Sequence, residues 1–338
     1  MLGRIIVIGA SAGGVEALRE LVAGFPSDLP ATIFIVLHIS PNSGSVLPSI
    51  LTRAGVLEAV YPENEEVFQP GRIYVAPPDH HLLVKLGKVE LTRGPKENRN
   101  RPAIDVLFRS AARAYDSLVI GVVLSGLLDD GTAGLLAIKQ RGGIAIVQDP
   151  EEALYSSMPR NAIENVEVDQ VLSVKEIAKE LTRLVYEPIE LKEVPPVSKN
   201  FAMESDMATL EPEAMQSDER PGIPSGFACP DCGGVLWELN QGNLLRFRCR
   251  TGHAFSVESL LAQQSEELEE ALWVALRTLE ETANLRDRMA QRATQAGHTA
   301  RARIYDEDAQ TARQRALLIR KAILNGLNGK NKDQLDEA

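Results

Sequence analysis

Three polar residues follow three predicted strands at the point where each strand ends. Ser11 comes after IIVIG, His38 after TIFIVL, and Asp130 after VIGVVL and a short loop. Because the loops after parallel strands converge at one edge of an open α/β sheet, we expect these side chains to meet there. A hydroxyl nucleophile, a base and an orienting carboxylate are the parts of an acyl-transfer triad. The sequence therefore predicts a serine hydrolase site, in which Asp129 competes with Asp130 for the acidic role.

The turn that carries Ser11 reads GASAGG over residues 9–14. Its glycines allow a sharp turn from strand to helix, and the stretch satisfies the G-x-S-x-G pattern in which a nucleophile stands above a sheet. The helix that follows would point free backbone amides at the same place. We therefore expect the amides near Ala12 and Gly13 to stabilise an oxyanion.

Each member of the triad also has a simpler interpretation. Ser11 could cap the following helix, His38 could be a packed or surface residue, and Asp130 could cap the helix near Thr132. A nucleotide site is the main rival, since glycine-rich turns after a first strand commonly bind phosphate. The fingerprint G-x-G-x-x-G is not met, because Ser11 occupies the second glycine position, and no G-K-S/T sequence occurs. The convergence of three complementary side chains favours the triad.

A second set of residues has the spacing of metal ligands. Cys229 and Cys232 form a C-x₂-C pair, and Cys249 and His253 supply two further candidates. This pattern is typical of a tetrahedral zinc site. Because four protein ligands leave no open coordination position, we expect a structural zinc ion and no cofactor for catalysis.

Apolar runs of strand length alternate with amphipathic helical stretches over residues 1–187. Strands connected by helices indicate a doubly wound parallel sheet, whose buried strands should be continuous Val, Ile and Leu runs, as these are. Residues 82–92 are predicted to contain a short hairpin. We therefore expect an α/β domain with a mostly parallel, doubly wound sheet and helices on both faces. His80 and His81 are expected in a surface loop.

The composition changes after residue 187. Residues 188–225 are rich in Pro, Glu, Ser and Met, which predicts a flexible acidic linker. The cysteines define a zinc-ribbon-like module at 226–255, and long helical stretches at 256–327 predict a helical hairpin. Residues 328–338 are predicted to form a disordered tail.

The charge and hydropathy of the chain exclude several classes of partner. A net charge of −11 argues against a nucleic-acid binder, because affinity for phosphate needs clustered positive charge. No apolar run is long enough to cross a membrane, so membrane insertion is not expected. Cysteines with metal-ligand spacing are typical of a reducing compartment, which predicts a cytoplasmic protein.

Residues 3–187 resemble the catalytic domain of the CheB-type protein-glutamate methylesterases along nearly their whole length. The matching stretches are IGASAGG (8–14), VLHIS (36–40), PGRIYVAPPDHHL (70–82), RPAIDVLFRSAA (101–112), SGLLDDGTAG (125–134) and SSMPRNAI (156–163). The resemblance implies Ser11 as nucleophile, His38 as base and Asp130 as acid. It also implies demethylation of glutamyl methyl esters on methylated chemotaxis-type receptors, with release of methanol, and glutamine deamidation as a second activity.

The sequence departs from the family's pattern in three ways. Ala12 stands where members often have Thr. The loop GLLDDG replaces the usual G-M-G-x-D-G, so the turn keeps an apolar residue at Leu127 but loses a glycine at Leu128. Members typically carry a receiver domain ahead of the esterase, whereas this sequence starts at the first esterase strand. We therefore do not expect control through such a domain.

Two further expectations concern the role of the chain as a whole. The competing function is a non-enzymatic adaptor, in which the esterase domain docks on a receptor or signalling partner. The region after residue 188 is expected to be an interaction module outside the active site, able to self-associate through its helices. A chain that ends at Glu187 would then keep its esterase chemistry.

Overall fold

The chain divides into two compact units, Met1–Leu260 and Leu261–Ala338. Nearly all of the predicted tail at 328–338 lies outside the residues that the structure describes. The computed structural model describes residues 3–41, 44, 46–188, 196–216 and 222–328.

A parallel sheet forms the centre of the first unit. The strands of this part of the chain are β1 (Ile5–Ala10), β2 (Thr32–Leu37), β3 (Glu58–Val60), β4 (Arg72–Val75), β5 (His81–Lys85), β6 (Lys88–Thr92), β7 (Val119–Val123), β8 (Ile144–Gln148) and β9 (Gln170–Leu172). Seven of them pair in parallel in the order β3-β4-β2-β1-β7-β8-β9. Strands β5 and β6 form the predicted antiparallel hairpin. All residues of β1, β2 and β7 are buried, as both faces of the sheet are covered.

Helices cover the two faces of this sheet, which confirms the predicted α/β fold. They are α1 (Gly14–Ala23), α2 (Leu47–Ala54), α3 (Ile104–Tyr115), α4 (Thr132–Gln140), α5 (Ser157–Asn165) and α6 (Val174–Tyr186). Ile6 and Ile8 of β1 share a core with α1, α2 and α6. Ile5 and Val7 point the other way and share a core with α3, α4, α5 and the hairpin. Alternate side chains of one strand therefore bury both layers of helices.

Part of the predicted linker is folded onto the first unit. Helix α7 (Lys199–Ala208) places Phe201 in a core beside α3, and Arg113 of α3 lies 2.5 Å from Asp206. The short helix α8 (Pro212–Gln216) follows. The structure differs here from the predicted flexible linker, because Phe201 and Met207 give this polar segment a buried apolar side. Residues 189–195 and 217–221 lie outside the described part of the chain.

The cysteine-containing segment forms a small antiparallel sheet, which we call the ribbon, at residues 223–256. Its strands, in spatial and chain order, are β10 (Ile223–Ala228), β11 (Val235–Gln241), β12 (Leu244–Cys249) and β13 (Ala254–Ser256). Leu236, Phe247 and Phe255 pack with Cys229 and Cys249 in a core of its own. The ribbon begins slightly before the predicted boundary at residue 226.

Buried ion pairs join the ribbon to α3 and α7. Glu97 lies 2.7 Å from Arg109 of α3 and 2.9 Å from Arg248 of β12. Glu204 of α7 lies 2.5 Å from Arg246 and 3.2 Å from Arg248. Burial acts to raise the pKa of Glu97, but Arg109 and Arg248 hold that pKa well below its usual range. Because buried charges persist only when they are paired, these contacts dock the ribbon on the part of the chain that forms the parallel sheet and its helices.

The second unit is a helical hairpin, as the sequence predicted. Helix α9 (Val257–Gln295) runs into this unit and is followed by α10 (Thr299–Asn328). Gly297, between the two helices, has a φ of 77°. Leu276 packs against Ala316 and Ile323 across the hairpin. Among the described residues, we find no helix with the length and apolar character needed to cross a membrane.

Candidate active site and metal centre

Ser11, His38 and Asp130 lie together at the carboxyl edge of the central sheet. The Nδ1 atom of His38 is 3.1 Å from Ser11 Oγ, and its Nε2 atom is 2.8 Å from Asp130 Oδ2. Strands β1, β2 and β7 are neighbours in the sheet, so the loops after them meet as expected. The three side chains form one continuous chain of contacts from hydroxyl to carboxylate.

Asp130 is a buried carboxylate with a full set of donors. Oδ2 accepts a hydrogen bond from the amide of Ile104 at 2.7 Å, and Oδ1 accepts one from Asn98 Nδ2 at 2.9 Å. Burial acts to raise the pKa of Asp130, but the hydrogen bonds from His38, Asn98 and Ile104 keep that pKa below its ordinary value. The group therefore stays ionised beside the imidazole ring, as an orienting acid must.

Asp129 points elsewhere. Its Oδ1 atom accepts a hydrogen bond from Ser256 Oγ of the ribbon at 2.7 Å. Burial, together with the nearby carboxylates of Glu258 and Asp105, raises the pKa of Asp129 to about 8. A carboxyl group that is protonated near neutral pH cannot supply the negative charge that an imidazolium needs. The geometry thus favours Asp130 over Asp129 as the acid.

Backbone hydrogen bonds and a glycine fix the turn that connects Ser11 to helix α1. The Ser11 amide donates to the carbonyl of Ser125 at 2.9 Å, and the Gly14 amide donates to the Ser11 carbonyl at 2.9 Å. Gly13 has a φ of 71°, and a Cβ there would lie 2.9 Å from Ser125 Oγ. Only glycine fits this position without strain. Ala12 and Gly13 therefore lie between Ser11 and the first residue of α1.

The loop after β7 packs directly against the side chain of Ser11. A Cβ on Gly126 would lie 2.9 Å from Ser11 Cβ and 2.1 Å from Met158 Sδ. Leu127 comes next and is 46 % exposed, so it forms part of the surface beside the site. Leu128, which stands at the family's missing glycine, takes a φ of 61°, and its carbonyl accepts a hydrogen bond from Asn161 at 3.0 Å. Leu128 therefore keeps the positive φ that favours glycine, although it is not a glycine.

Two residues of the site were missed by the sequence reasoning. Asn98 Nδ2 donates to Asp130 Oδ1 and to Asp105 Oδ2, both at 2.9 Å. Asp105 Oδ1 accepts from the amides of Gly131 at 3.1 Å and Gly134 at 2.6 Å, at the start of α4. Burial raises the pKa of Asp105 to about 6. Asp105 lies in a stretch that resembles the family, whereas nothing in the sequence marked Asn98.

The structure corrects the expectation for His81. Its ring is buried, with Nε2 2.9 Å from the carbonyl of Pro95, and Nδ1 accepts a hydrogen bond from the amide of Ala103 at 3.2 Å. Burial lowers the pKa of His81 to about 4, so the ring is neutral. His80 remains partly exposed, with Nδ1 3.0 Å from the carbonyl of Pro78. His81 therefore supports the loop and does not face a substrate.

The four predicted metal ligands meet at one end of the ribbon. Their ligand atoms all lie within 4.8 Å of one another. The sulfur atoms of Cys232 and Cys249 are 3.7 Å apart, and His253 Nδ1 is 3.7 Å from the sulfur of Cys229 and 3.6 Å from that of Cys249. Zinc–sulfur bonds of about 2.3 Å in a tetrahedron place ligand atoms about 3.8 Å apart, so the donor set and its spacing fit zinc.

Comparison with known proteins covers the part of the chain that holds the triad. The CheB methylesterase family matches residues 6–181. A candidate protein-glutamate methylesterase/protein-glutamine glutaminase of Leptospira interrogans is 42 % identical over 180 residues, which are 53 % of this chain and 93 % of that relative. A protein-glutamate methylesterase/protein-glutamine glutaminase of Xanthomonas oryzae is 36 % identical over 182 residues. Those residues are 53 % of this chain and 52 % of the relative, so the chain spans about half the length of that protein.

The fold is similar to a solved structure as well. The crystal structure of the Thermotoga maritima CheB methylesterase catalytic domain aligns with a TM-score of 0.53 and 36 % sequence identity. The alignment covers 55 % of this chain and 100 % of that domain. The family match ends at residue 181, ahead of α7, the ribbon and the helical hairpin.

Proposed function

Because the chain belongs to the CheB methylesterase family, we propose that it hydrolyses glutamyl methyl esters on chemotaxis-type receptors. The observation that carries this proposal is the contact from Ser11 Oγ through His38 to Asp130. A serine activated in this way attacks carbonyl carbons that bear a leaving group, and a methyl ester provides methoxide. The relatives from Leptospira and Xanthomonas are named for this activity.

The reaction begins when His38 Nδ1 takes the proton of Ser11 Oγ, which attacks the ester carbonyl carbon. Asp130 accepts a hydrogen bond from His38 Nε2–H, which fixes the ring and stabilises the imidazolium. The amides of Ala12 and Gly13 bind the negative oxygen of the tetrahedral intermediate. His38 then protonates the departing methoxide, methanol leaves, and water cleaves the acyl-enzyme with the same groups.

Methanol release from a methylated receptor tests this function. Ser11→Ala should lower the rate by several orders of magnitude, since the attacking oxygen is lost and the small side chain leaves the turn intact. Ser265→Ala, at an exposed position on α9, is the matched control and should behave as wild type. Near-normal methanol release by the Ser11 variant would refute a serine mechanism.

Glutamine deamidation is proposed as a second reaction of the same groups. An amide carbonyl can be attacked by Ser11 in the same way, with ammonia leaving after His38 donates its proton. The names of the relatives include this activity. Ammonia release from a receptor with unmodified glutamines, absent in Ser11→Ala, would support it.

The competing function is a non-enzymatic adaptor that docks on a receptor or signalling partner. The intact triad supports the enzyme, because an adaptor has no need for a hydrogen-bonded serine, histidine and buried carboxylate. Wild-type protein that bound receptor yet released neither methanol nor ammonia would favour the adaptor.

A structural zinc ion is proposed at Cys229, Cys232, Cys249 and His253. Three thiolates and an imidazole would complete a tetrahedron and leave no position for substrate. The metal would hold the turns at the end of the ribbon and take no part in the chemistry. Metal analysis of protein purified without chelators tests the site.

The helical hairpin is proposed to self-associate. Leu268, Trp273 and Leu285 on α9, and Leu317 and Leu318 on α10, are each more than half exposed. Apolar side chains on a helical surface are suited to a partner helix. Light scattering would show a dimer that Leu268→Glu weakens.

The location is proposed to be the cytoplasm, where cysteines stay reduced. The net charge of −11 supports partners other than nucleic acid.

A further inference from the structure

We propose that the ribbon is a positioning element for the catalytic acid and that Asn98 connects the two. This inference rests on the proposed esterase function, in which Asp130 orients His38. The family match ends at residue 181, so the ribbon is an addition to the region that holds the triad. The contacts that carry the inference all lie within the first unit.

The side chain of Asn98 lies between the ribbon and the acid. Its Nδ2 atom donates to Asp130 Oδ1 and Asp105 Oδ2, both at 2.9 Å. Its Oδ1 atom accepts from the amide of Ser256 at 3.0 Å and from Ser259 Oγ at 3.2 Å. Asn98 is 5 % exposed, and its two donors and both lone pairs are all in use. Carboxylates at one end and donors at the other permit a single orientation of the amide.

The backbone around Asn98 is held by the ribbon too. The Asn98 amide donates to the carbonyl of Ala254 at 2.8 Å, and the Ala254 amide donates to the carbonyl of Lys96 at 3.3 Å. Asn98 and Arg99 have φ values of 48° and 71°. Asn adopts such a left-handed conformation more readily than most residues, whereas Arg99 does so at a cost that its surroundings must offset. Strand β13 supplies part of those surroundings.

The ribbon also contacts the acid loop directly. Ser256 Oγ donates to Asp129 Oδ1 at 2.7 Å, one residue before Asp130, and lies 2.9 Å from Ser259 Oγ. Ser256 and Ser259 are 6 % and 0 % exposed. The turn from β13 into α9 therefore contacts Asn98, which donates to Asp130, and Asp129, which precedes Asp130 in the chain.

Charge pairing anchors the loop that carries Asn98. Glu97 is buried between Arg109 of α3 and Arg248 of β12. An unpaired charge in such a place would be costly, so the pairing resists separation of the loop from the ribbon. Asn98 thus follows Glu97 of the buried ion pair, bonds to β13 through its backbone amide, and donates from its side chain to Asp105 and Asp130. Loss of the ribbon together with the first turn of α9 would remove both donors that the described residues offer to Asn98 Oδ1.

The consequence for catalysis is specific. Asn98 and the two serines are buried, and their contacts are with the acid and its loop. We therefore expect their removal to lower kcat and leave KM unchanged. Asn98→Ala removes the hydrogen bond from Asn98 to the Asp130 carboxylate. Because hydrogen bonds to charged groups are among the stronger ones, we expect kcat to fall by about 10- to 100-fold. The pair Ser256→Ala and Ser259→Ala, made together, should give a smaller loss of about 3- to 10-fold, since the Ser256 amide still donates to Asn98.

The test measures kcat and KM of the full chain on a small glutamyl methyl ester, and the proton resonance on His38 Nε2. Asn98→Ala and the double serine variant should lower kcat and broaden or shift that resonance, which reports the contact with Asp130. Asn240→Ala is the matched control, since this exposed ribbon residue bonds only to Glu238 among the described side-chain contacts. It should leave kcat and the resonance unchanged.

The possible outcomes separate the two proposals. A wild type without esterase activity would refute the proposed function, and the His38 resonance would still report whether Asn98 and the ribbon position the acid. Should Asn98→Ala fail to fold, the double serine variant gives the same readouts with smaller changes. Unchanged kcat and an unchanged resonance in a folded variant would overturn the inference, as would a loss confined to KM.

Discussion

The hydroxyl of Ser256, in the ribbon, donates a hydrogen bond to Oδ1 of Asp129, at 2.7 Å. The two residues are far apart in the sequence, and Asp129 immediately precedes the acid of the triad. This contact explains why two adjacent aspartates have different roles. Asp130 is held ionised by donors beside His38, whereas Asp129 is buried against the ribbon and has its pKa raised to about 8.

We expect Asp130→Asn and Asp129→Asn to have unequal effects on turnover. Asp130→Asn removes the charge that orients and stabilises the His38 imidazolium, and comparable substitutions in serine proteases lower kcat by about 10⁴-fold. Asp129→Asn keeps an acceptor for Ser256 and should cost less than about tenfold. Methanol release from a methyl ester compares the two. A larger loss with Asp129→Asn would assign the acid to that residue.

The stability of the chain should fall as the pH rises through the range in which Asp129 ionises. The folded pKa of about 8 lies above the ordinary value of 3.8, so the folded chain binds more protons than the unfolded chain between these values. The free energy of unfolding then decreases with pH, by up to about 1.4 kcal/mol per unit from this group. Glu97 and Glu204 have lowered pKa values and act in the opposite direction, below about pH 4.5.

Urea unfolding at about pH 6 and about pH 8.5 checks this sign. Asp129→Asn mimics the protonated form and should reduce the loss of stability between the two conditions. Glu213→Gln, at an exposed position on α8, is the control and should keep the wild-type difference. Equal pH dependence in wild type and Asp129→Asn would show that Asp129 is ionised in the folded chain at neutral pH.

Purified protein should contain about one zinc ion per chain. Chelation should lower kcat as well as loosen the ribbon, because His253 directly precedes Ala254, the residue that holds the Asn98 amide. The same chelation should have a smaller relative effect on Asn98→Ala, since the two changes break one connection. Hydrogen exchange at Asn98 provides a readout other than activity. Absence of zinc from protein never exposed to chelators would refute the metal site.

A chain that ends at Glu187 should lose at least about tenfold in kcat. The sequence alone predicted retained activity, but this truncation removes Arg248, which neutralises Glu97, and Ser256, which holds Asn98. A chain that ends at Gln264 retains the ribbon and serves as the control, with near-normal kcat on a small ester. Full activity of the shorter chain, once shown to be folded, would contradict a positioning role for the ribbon.

Gly126→Ala should lower the rate by about 100-fold. A methyl group there would lie 2.9 Å from Ser11 Cβ and 2.1 Å from Met158 Sδ, so the acid loop or the nucleophile must move. Displacement of a nucleophile by about 1 Å can cost about 100-fold in rate. Gly226→Ala is the matched control, because a Cβ at that ribbon position meets no heavy atom within 4 Å. Wild-type rates for both variants would place the site elsewhere.

The sequence by itself determined the fold class and the composition of the triad. The continuous apolar runs before Ser11 and His38 are typical of strands buried on both faces, and the meeting of the residues at their ends follows from how parallel strands are connected. The spacing of Cys229 and Cys232 likewise predicted neighbouring ligands, since two residues between cysteines leave little conformational choice. These are local signals, set by periodicity and short spacing.

Only the tertiary structure decided which aspartate faces His38, that His81 is buried, and that the ribbon is docked behind the acid. Asn98 and Ser256 lie in polar segments that read as ordinary solvent-exposed loops, and their contact joins residues 158 positions apart. Hydrogen bonds and ion pairs of this kind depend on how packed elements meet, which no local period encodes. The buried charges of Glu97 and Arg248 read as surface residues until folding brings them together.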